Sequence, residues 1–293
     1  MKNDYLLQKI QNLDDEAFVQ IVGEITERSA VTNVKPKDGV VHVLSLSDEL
    51  QEIRRTKHQF RGLSTGYTTL DAKMGGLEKG SVTLFAGETS NGKSALATNV
   101  AVNIAKTGTG VLYISLEMTR RQMIERLDAI AGDEWEAMNL LLQESFDLDY
   151  KSLEPLLKNA KELGGVEMVV LDYLQYLGRG MNLEEVAKMS KTIKSLALKY
   201  DIAFLVIVSL RKGDGKFKRQ WKDIEVEDLM GTSAIGYDAD TAIVVSRKDL
   251  ENEFRDENIY VKVLKTRNTK LDYNDRILQF IWDKLRITEE WKV

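Results

Sequence analysis

Cysteine is absent from this chain of 293 residues, and histidine and proline each occur only twice. Without cysteine the protein has no disulfide bonds and no thiolate metal site, and two histidines argue against a histidine-based metal centre. No apolar run approaches the roughly 20 residues that cross a bilayer, and the N-terminus lacks the uninterrupted apolar core of a secretory signal. We therefore expect a cytoplasmic protein with no membrane contact.

An excess of positive charge is also lacking, since the formal net charge is −5. An acidic chain does not coat nucleic acid passively, although a local basic patch can still bind it. Hydrophobic residues make up 43% and charged residues 30% of the chain, which is typical of a globular protein. The length allows one large domain with a small appendage.

The chain divides into two regions of different pattern. Residues 1–60 combine helical apolar spacing with a highly charged segment, and we predict a small, mainly helical N-terminal appendage and linker. Residues 61–293 alternate continuous apolar runs with helical stripes, which indicates buried strands covered by helices. The predicted strands are 81–87, 110–117, 166–174, 203–209 and 240–246, and the predicted helices are 94–106, 120–131, 151–163 and 184–200.

This alternation predicts the α/β class, with a mainly parallel sheet flanked by helices on both faces. The helix at about residue 120 should begin with a capping box, since Thr119 and Gln122 have the required spacing. After residue 246 the pattern changes to two strands around a turn, and we expect a C-terminal antiparallel hairpin at the edge of the sheet.

A glycine-rich turn joins the first predicted strand to the first predicted helix. Its residues fit the phosphate-binding pattern GxxxxGK[ST], the P-loop. The glycines let successive backbone N–H groups point at one phosphate, and the helix adds the positive end of its dipole. We expect Lys93 to reach the β- and γ-phosphates of a bound nucleotide and Ser94 to bind Mg²⁺. The predicted nucleotide-binding residues are Gly87, Glu88, Thr89, Ser90, Asn91, Gly92, Lys93, Ser94 and Ala95.

Two further predicted strands end in acidic residues. Glu117 follows "VLYIS", and Asp172 closes "VEMVVLD". Ligands bind beyond the carboxyl ends of parallel strands, so both acids should face the P-loop. Asp172 then has the position of a Walker B aspartate that organises Mg²⁺, and Glu117 can polarise a water for attack on the γ-phosphate. A solvated strand-end carboxylate is the alternative for either acid alone, but the pair beside a P-loop favours an NTPase over a passive nucleotide binder.

Several segments, taken in chain order, resemble a known family. They are "GETSNGKSALATNVAVNIA", "VLYISLEMTRRQMIERL", "VVLDYLQYL", "DLMGTSAIGYDADTAIVVSRKD" and "VLKTRNTK". Together they resemble the C-terminal motor domain of DnaB-type replicative DNA helicases, over about residues 62 to 287. The resemblance implies a RecA-like ATPase fold for residues 61–293, with Glu117 as catalytic base and Asp172 as Walker B acid. Such helicases are hexameric rings that pass single-stranded DNA through a central channel.

The resemblance also implies roles for two basic residues late in the chain. Lys265 and Arg267 would reach the nucleotide of a neighbouring subunit, Arg267 as an arginine finger and Lys265 as its companion. Because they stand two apart on an extended strand, they should point to the same side. Asp272 and Asp275 are the only acids that we expect to neutralise them.

Positive charge concentrates in the loop Arg211–Lys222, which holds six basic residues and one acid. Phosphates attract these charges, and bases can stack on Phe217 or Trp221. A solvated loop is the alternative. "LGRGMN" (177–182) is a second candidate loop, and "LMGTS" (229–233) resembles a DNA-contacting loop of the family. The predicted contacts to single-stranded DNA are Lys212, Lys216, Lys218, Arg219, Gly231 and Ser233.

Two residues depart from the family pattern. Ser209 stands where members usually have a glutamine that senses the γ-phosphate, and Met230 stands where an arginine is usual. Residues 1–60 are too few for the family's large N-terminal domain, although they remain a possible dock for a loader or primase. Besides the ring helicase, two functions therefore stay open: a recombinase-like filament protein that binds DNA without unwinding it, and a loader or clamp in which ATP only switches assembly.

Overall fold

The computed structural model describes residues 62–177, 180–210, 223–229, 233–248, 255–267, 278–283 and 285–289. All of them belong to one unit, Phe60–Val293. The predicted appendage at residues 1–60 and the basic loop Arg211–Lys222 lie outside the described residues, so both stay predictions. Within the described part of the chain, no helix is long and apolar enough to cross a membrane.

One mixed sheet contains all nine strands of the described residues. The strands are β1 Val82–Gly87, β2 Gly110–Ser115, β3 Leu140–Glu144, β4 Val166–Asp172, β5 Ala203–Ser209, β6 Thr241–Lys248, β7 Arg255–Thr266, β8 Leu278–Asp283 and β9 Arg286–Glu289. Their order in space is β3-β2-β4-β5-β1-β6-β7-β8-β9. The strands from β3 to β6 are parallel, and β7, β8 and β9 are antiparallel to their neighbours. The predicted parallel sheet with antiparallel C-terminal strands is confirmed.

Helices connect the parallel strands. Those of the described residues are α1 Thr68–Met74, α2 Lys93–Lys106, α3 Arg120–Ala131, α4 Leu153–Gly164, α5 Leu174–Leu177, α6 Leu183–Tyr200 and α7 Ser233–Asp238. The four helices predicted from periodicity match α2, α3, α4 and α6 to within two residues. The predicted capping box is confirmed, since the Thr119 side chain accepts from the Gln122 N–H and the Gln122 side chain accepts from the Thr119 N–H.

The core lies on both faces of the central strands. On one face, Phe85 and Leu205 pack in a cluster that includes Leu96 of α2. On the other face, Val206 packs in a cluster that includes Ile193 of α6. Each large apolar side chain buried in this way contributes about 1.5–3 kcal/mol. Burial on both faces explains why these strands read as continuous apolar runs.

The sequence did not predict five of these elements: α1, α5, α7, β3 and β9. Strand β3 pairs with β2 at the edge of the sheet, and all five of its residues are only partly buried. A half-exposed edge strand lacks the uninterrupted apolar run that marked the central strands. The strand β9 extends the predicted hairpin of β7 and β8 by one more antiparallel pair.

Candidate nucleotide-binding site

The P-loop follows β1, which lies between β5 and β6 near the middle of the sheet. Gly87 ends β1, and a Cβ there would collide with the carbonyl oxygen of Val245 on β6. Gly92 has a φ of +88° and immediately precedes α2. No side chain caps the N-terminus of α2. The N–H groups of its first turn can therefore bind the oxygens of a phosphate.

Lys93 is the cation of this loop and is 8% exposed. Its Nζ donates a hydrogen bond to the carbonyl oxygen of Glu88, 2.7 Å away, so the side chain folds back over the loop. Burial lowers the pKa of Lys93, and the charges of Asp172, Glu117 and Glu88 oppose that effect. The predicted base and the predicted Walker B acid therefore both lie within electrostatic range of the P-loop lysine.

Ser94 and Asp172 meet beside the P-loop. Ser94 Oγ, in the first turn of α2, donates to Asp172 Oδ1 at the end of β4, over 3.0 Å. Asp172 is 3% exposed. Burial raises the pKa of this carboxyl, whereas hydrogen bonds from Tyr113 and Ser94 and the charge of Arg126 oppose the rise. The structure thus brings the two predicted Mg²⁺-binding residues together.

The oxygen pair fits Mg²⁺ when a nucleotide supplies the other ligands. Hydroxyl and carboxylate oxygens are ligands that Mg²⁺ accepts, and this ion usually keeps several waters and phosphate oxygens around one or two protein groups. In the described part of the chain, no cluster of three or more His, Cys, Asp or Glu side chains could hold a metal by itself. Ser94 and Asp172 are therefore suited to Mg²⁺ bound to ATP rather than to a resident metal ion.

Glu117 lies in the turn that follows β2, and its side chain is exposed. The turn is held by Ser115, whose Oγ donates to the Met118 carbonyl over 2.7 Å and accepts from the Met118 N–H over 3.1 Å. The N–H of Leu116 donates to the carbonyl oxygen of Asp172, 2.8 Å away. Glu117 and Asp172 therefore lie at adjacent strand ends, as predicted, with Glu117 open to solvent.

The sequence did not predict a buried polar group behind Asp172. Tyr113 of β2 is fully buried, and its hydroxyl donates to Asp172 Oδ2 over 2.8 Å. Thr98 Oγ1 lies 3.3 Å from this hydroxyl and donates to the carbonyl oxygen of Ser94. Arg126 lies within electrostatic range of Asp172, and its Nη1 is buried without a hydrogen-bond partner among the described residues. A tyrosine within the aliphatic run "GVLYIS" was the available signal.

The comparison with protein families identifies the family of the chain that carries this site. The sequence profile of the DnaB-like helicase C-terminal domain matches residues 62–133 and 129–284. The chain belongs to this family. The resemblance stated from the sequence is thereby confirmed.

Curated relatives of the chain are replicative DNA helicases. The chain is 27% identical to DnaC of Bacillus subtilis and 25% identical to DnaB of Geobacillus stearothermophilus, in each case over 89% of this chain and 63% of the relative. A probable plasmid replicative DNA helicase of Chlamydia psittaci is 29% identical over 67% of this chain and 49% of that relative. The chain thus spans less than two thirds of the length of these relatives.

Two solved structures share the fold. One is described as an ATPase domain, and it has a TM-score of 0.75 at 20% identity and covers 87% of this chain and 100% of that chain. A DnaB-like replicative helicase, described with its interactions with primase, has a TM-score of 0.70 at 19% identity and covers 97% of this chain and 74% of that chain. The predicted RecA-like ATPase fold is confirmed.

Lys265, one of the two family residues late in the chain, lies near the end of β7. Its Nζ donates to the carbonyl oxygens of Gly236, Tyr237 and Ala239, at 3.0, 2.9 and 2.6 Å. These carbonyls belong to the C-terminal end of α7 and the residue after it. Burial and the neighbouring Arg267 lower the pKa of Lys265. In this structure Lys265 therefore caps a helix of its own chain.

Arg267 follows β7 directly. Its Nη1 donates to Asp240 Oδ1 and its Nη2 donates to the carbonyl oxygen of Tyr237, each over 3.1 Å. The shared contact with Tyr237 confirms that Lys265 and Arg267 point to the same side. The expectation that only Asp272 and Asp275 neutralise this pair was wrong, because Asp240 forms an ion pair with Arg267.

Arg267 lies at the end of the sheet opposite to the P-loop of its own chain. The Arg267 N–H donates to the Asp240 carbonyl, and the Asp240 N–H donates to the carbonyl of Val82, the first residue of β1. The P-loop begins at Gly87, five residues later and at the other end of β1. At about 3.3 Å per residue this separation is about 17 Å, which is further than an arginine side chain reaches.

The predicted DNA-binding residues fall largely outside the described residues. This holds for Lys212, Lys216, Lys218, Arg219 and Gly231, and for Gly178 and Arg179 of the second candidate loop. Ser233 begins α7, but its side chain is not described.

Two residues depart from the family pattern. Ser209 ends β5 and lies opposite Gly87 in the register of β1 and β5. Met230 lies outside the described residues.

Proposed function

We propose that this protein is an ATP-driven DNA helicase that assembles as a ring, moves along single-stranded DNA and unwinds duplex DNA during replication. One observation carries the proposal: in a chain of the DnaB-like helicase family, Ser94 and Asp172 share a hydrogen bond beside the P-loop. The lysine of this P-loop lies within electrostatic range of Glu117. The curated relatives are replicative DNA helicases. A cytoplasmic location of this protein is part of the proposal.

Each residue of the site has a role in ATP hydrolysis under this proposal. The backbone N–H groups from Gly87 to Ser94 and the ammonium of Lys93 bind the phosphates. Ser94 and Asp172 would hold Mg²⁺, which neutralises charge on the β- and γ-phosphate oxygens when bound. Glu117 is exposed beside the P-loop, where it can accept a proton from a water that attacks the γ-phosphate.

The position of Arg267 supports the proposed ring. Since about 17 Å separate Arg267 from the P-loop of its own chain, we propose that Lys265 and Arg267 complete the nucleotide site of a neighbouring subunit. An arginine finger supplied by a neighbour accelerates hydrolysis by about 10³–10⁵. The side chain of Arg267 is 51% exposed despite its ion pair with Asp240. This exposure leaves it accessible to a second subunit, and a head-to-tail interface of this kind forms a ring when its rotation closes.

Mixing two inactive variants tests the interface. Arg267→Ala and Glu117→Gln should each lose most ATPase activity alone. In a 1:1 mixture with free subunit exchange, about a quarter of head-to-tail interfaces pair an intact Glu117 site with an intact Arg267 donor, so about a quarter of wild-type turnover should return. No recovery at any ratio, with exchange verified by fluorescence transfer between labelled subunits, would leave Arg267 with a structural role only.

DNA is the proposed substrate of the motor, and the basic loop Arg211–Lys222 and the segment around Gly231 are its proposed contacts. A solved relative is described with its interactions with primase. A primase or a loader that binds residues 1–60 remains part of the proposal for this chain.

The direct test of the whole proposal is strand displacement. The wild-type protein is incubated with forked DNA carrying one labelled strand, with ATP and Mg²⁺, and its oligomer is imaged in the same buffer. Displacement that requires ATP, together with rings, supports the helicase. Lys93→Ala is the control, since it removes the P-loop cation and should displace nothing. Displacement that is equal without ATP, or absent at every protein concentration, contradicts the proposal.

A second function is favoured by one observation. Ser209 lies opposite Gly87 at the end of β5, where the family usually has a γ-phosphate-sensing glutamine. A shorter side chain there suits a loader or clamp in which ATP switches assembly without driving movement. ATPase activity that does not respond to single-stranded DNA would favour this second function. Filaments instead of rings in the same images would favour a recombinase-like protein.

A further inference from the structure

Tyr113 is buried in the sheet with its hydroxyl directed at a carboxylate. The side chain is fully buried on β2, and the hydroxyl donates to Asp172 Oδ2 over 2.8 Å. Burial and the adjacent charge of Asp172 raise the pKa of this phenol well above its usual value. A carboxylate has no proton to donate, so in this 2.8 Å contact the phenol O–H is the donor.

The two oxygens of Asp172 have different partners. Oδ1 accepts from Ser94 and Oδ2 accepts from Tyr113. Thr98 packs beside this arrangement: its Oγ1 donates to the Ser94 carbonyl over 2.6 Å and lies in contact with the Tyr113 hydroxyl, 3.3 Å away. The torsion of a carboxylate group is soft, so a group held at one oxygen can still rotate. Donors at both oxygens fix its plane.

We infer that Tyr113 is a positioning residue for magnesium binding by Asp172, an inference that rests on the proposed function. The hydroxyl holds Oδ2 from inside the sheet and leaves Oδ1 facing Ser94, at the surface where a nucleotide would bring the metal. Donors that orient a metal-binding carboxylate change metal affinity by about 10–100-fold when they are removed. A phenylalanine at this position would fill the same space and leave Oδ2 buried without its donor.

The variant Tyr113→Phe isolates the hydroxyl, and the readout is nucleotide binding rather than turnover. A fluorescent, non-hydrolysable ATP analogue is titrated against the full chain, once with Mg²⁺ and once with EDTA. The ratio of the two affinities is the gain that the metal supplies. We expect the affinity in EDTA to stay within about twofold of wild type and the gain to fall about tenfold.

The chain offers a matched control in Tyr67. This tyrosine is 3% exposed, and its hydroxyl donates to the carbonyl of Ile287 over 3.1 Å rather than to Asp172. Tyr67→Phe therefore also deletes a hydroxyl that hydrogen-bonds in the interior. It should lower the melting temperature in the same way as Tyr113→Phe and leave the magnesium-dependent gain at the wild-type value.

Further variants keep the inference open to refutation. Thr98→Val removes the hydroxyl that contacts the Tyr113 hydroxyl and donates to the Ser94 carbonyl. It should reduce the gain in the same direction, which provides a test even if Tyr113→Phe folds poorly. In an Asp172→Asn background, Tyr113→Phe should change the gain no further. An unchanged gain in both Tyr113→Phe and Thr98→Val overturns the inference while the proposed function stands. A wild-type protein with no magnesium-dependent gain overturns both.

Discussion

Asp240 joins three parts of the fold through one carboxylate, and its replacement by alanine should lower the stability of the fold by about 3 kcal/mol. Oδ2 accepts from the Val82 N–H over 2.8 Å and from Lys194 Nζ over 2.7 Å, and Oδ1 accepts from Arg267 over 3.1 Å. Asp240 is 7% exposed. It therefore connects the start of β1, the helix α6 and the residue after β7.

The structure sets the size of the effect. Removing one partner of a buried ion pair costs about 3–5 kcal/mol, and an unpaired buried N–H costs about 1–3 kcal/mol. We do not expect the full sum of these two costs, because the Lys194 side chain is 22% exposed and also donates to the Gly80 carbonyl. We expect Asp240→Ala to cost about 3 kcal/mol, which at about 2–4 °C per kcal/mol lowers the melting temperature by roughly 6–12 °C.

Thermal unfolding followed by circular dichroism, with urea unfolding as a second measurement, checks this value. Asp240→Asn should fall between wild type and Asp240→Ala, because the amide oxygen still accepts from Val82 while the charge is lost. Glu125→Ala is the control: Glu125 pairs with Arg121 on the exposed face of α3, and such pairs contribute less than about 0.5 kcal/mol. A melting temperature for Asp240→Ala within about 2 °C of Glu125→Ala, less than the shift for 1 kcal/mol, would refute the reasoning.

Two further predictions concern turnover and DNA. Lys93→Ala should abolish ATP turnover. Glu117→Gln should still bind ATP in a filter-binding assay but hydrolyse it very slowly, because the nucleotide is still positioned while the attacking water is no longer activated. Near-normal turnover by Glu117→Gln would mean that the base is another group. Replacing Lys216, Lys218 and Arg219 with alanine should weaken single-stranded DNA binding similarly for all sequences and leave basal ATPase intact. Each lost phosphate contact should reduce the slope of log affinity against log salt concentration by about 0.7. An unchanged slope would mean that this loop is a solvated surface loop without DNA contacts.

The central sheet and the P-loop could be predicted from the sequence because their signals are local. Continuous apolar runs marked the buried strands, and one spacing rule connected Gly87, Lys93 and Ser94 to a phosphate. The meeting of Ser94 with Asp172 was also predictable, since the carboxyl ends of parallel strands share one edge of the sheet.

The partner of Arg267 could not be predicted in the same way. Asp240 lies 27 residues earlier in the chain and meets Arg267 only because β7 runs antiparallel to β6. The strand β3 was missed for a different reason, since a half-exposed edge strand has no uninterrupted apolar run. Tyr113 was counted as one more apolar strand residue, and nothing local shows that its hydroxyl reaches Asp172. All three features depend on which strands are neighbours in the sheet, and the sequence does not state that order.

The contacts of Lys265 have a consequence for how subunits could differ from one another. An ammonium group has three donors, and Lys265 uses them on three carbonyls at the C-terminal end of α7. To bind a phosphate of a neighbouring subunit, it must release at least one of these carbonyls. A subunit that engages its neighbour therefore loosens the end of its own α7, and a subunit that does not keeps the cap. Engagement and the full three-carbonyl cap exclude each other, so the proposed ring, when partly loaded with nucleotide, would not be symmetric at this helix.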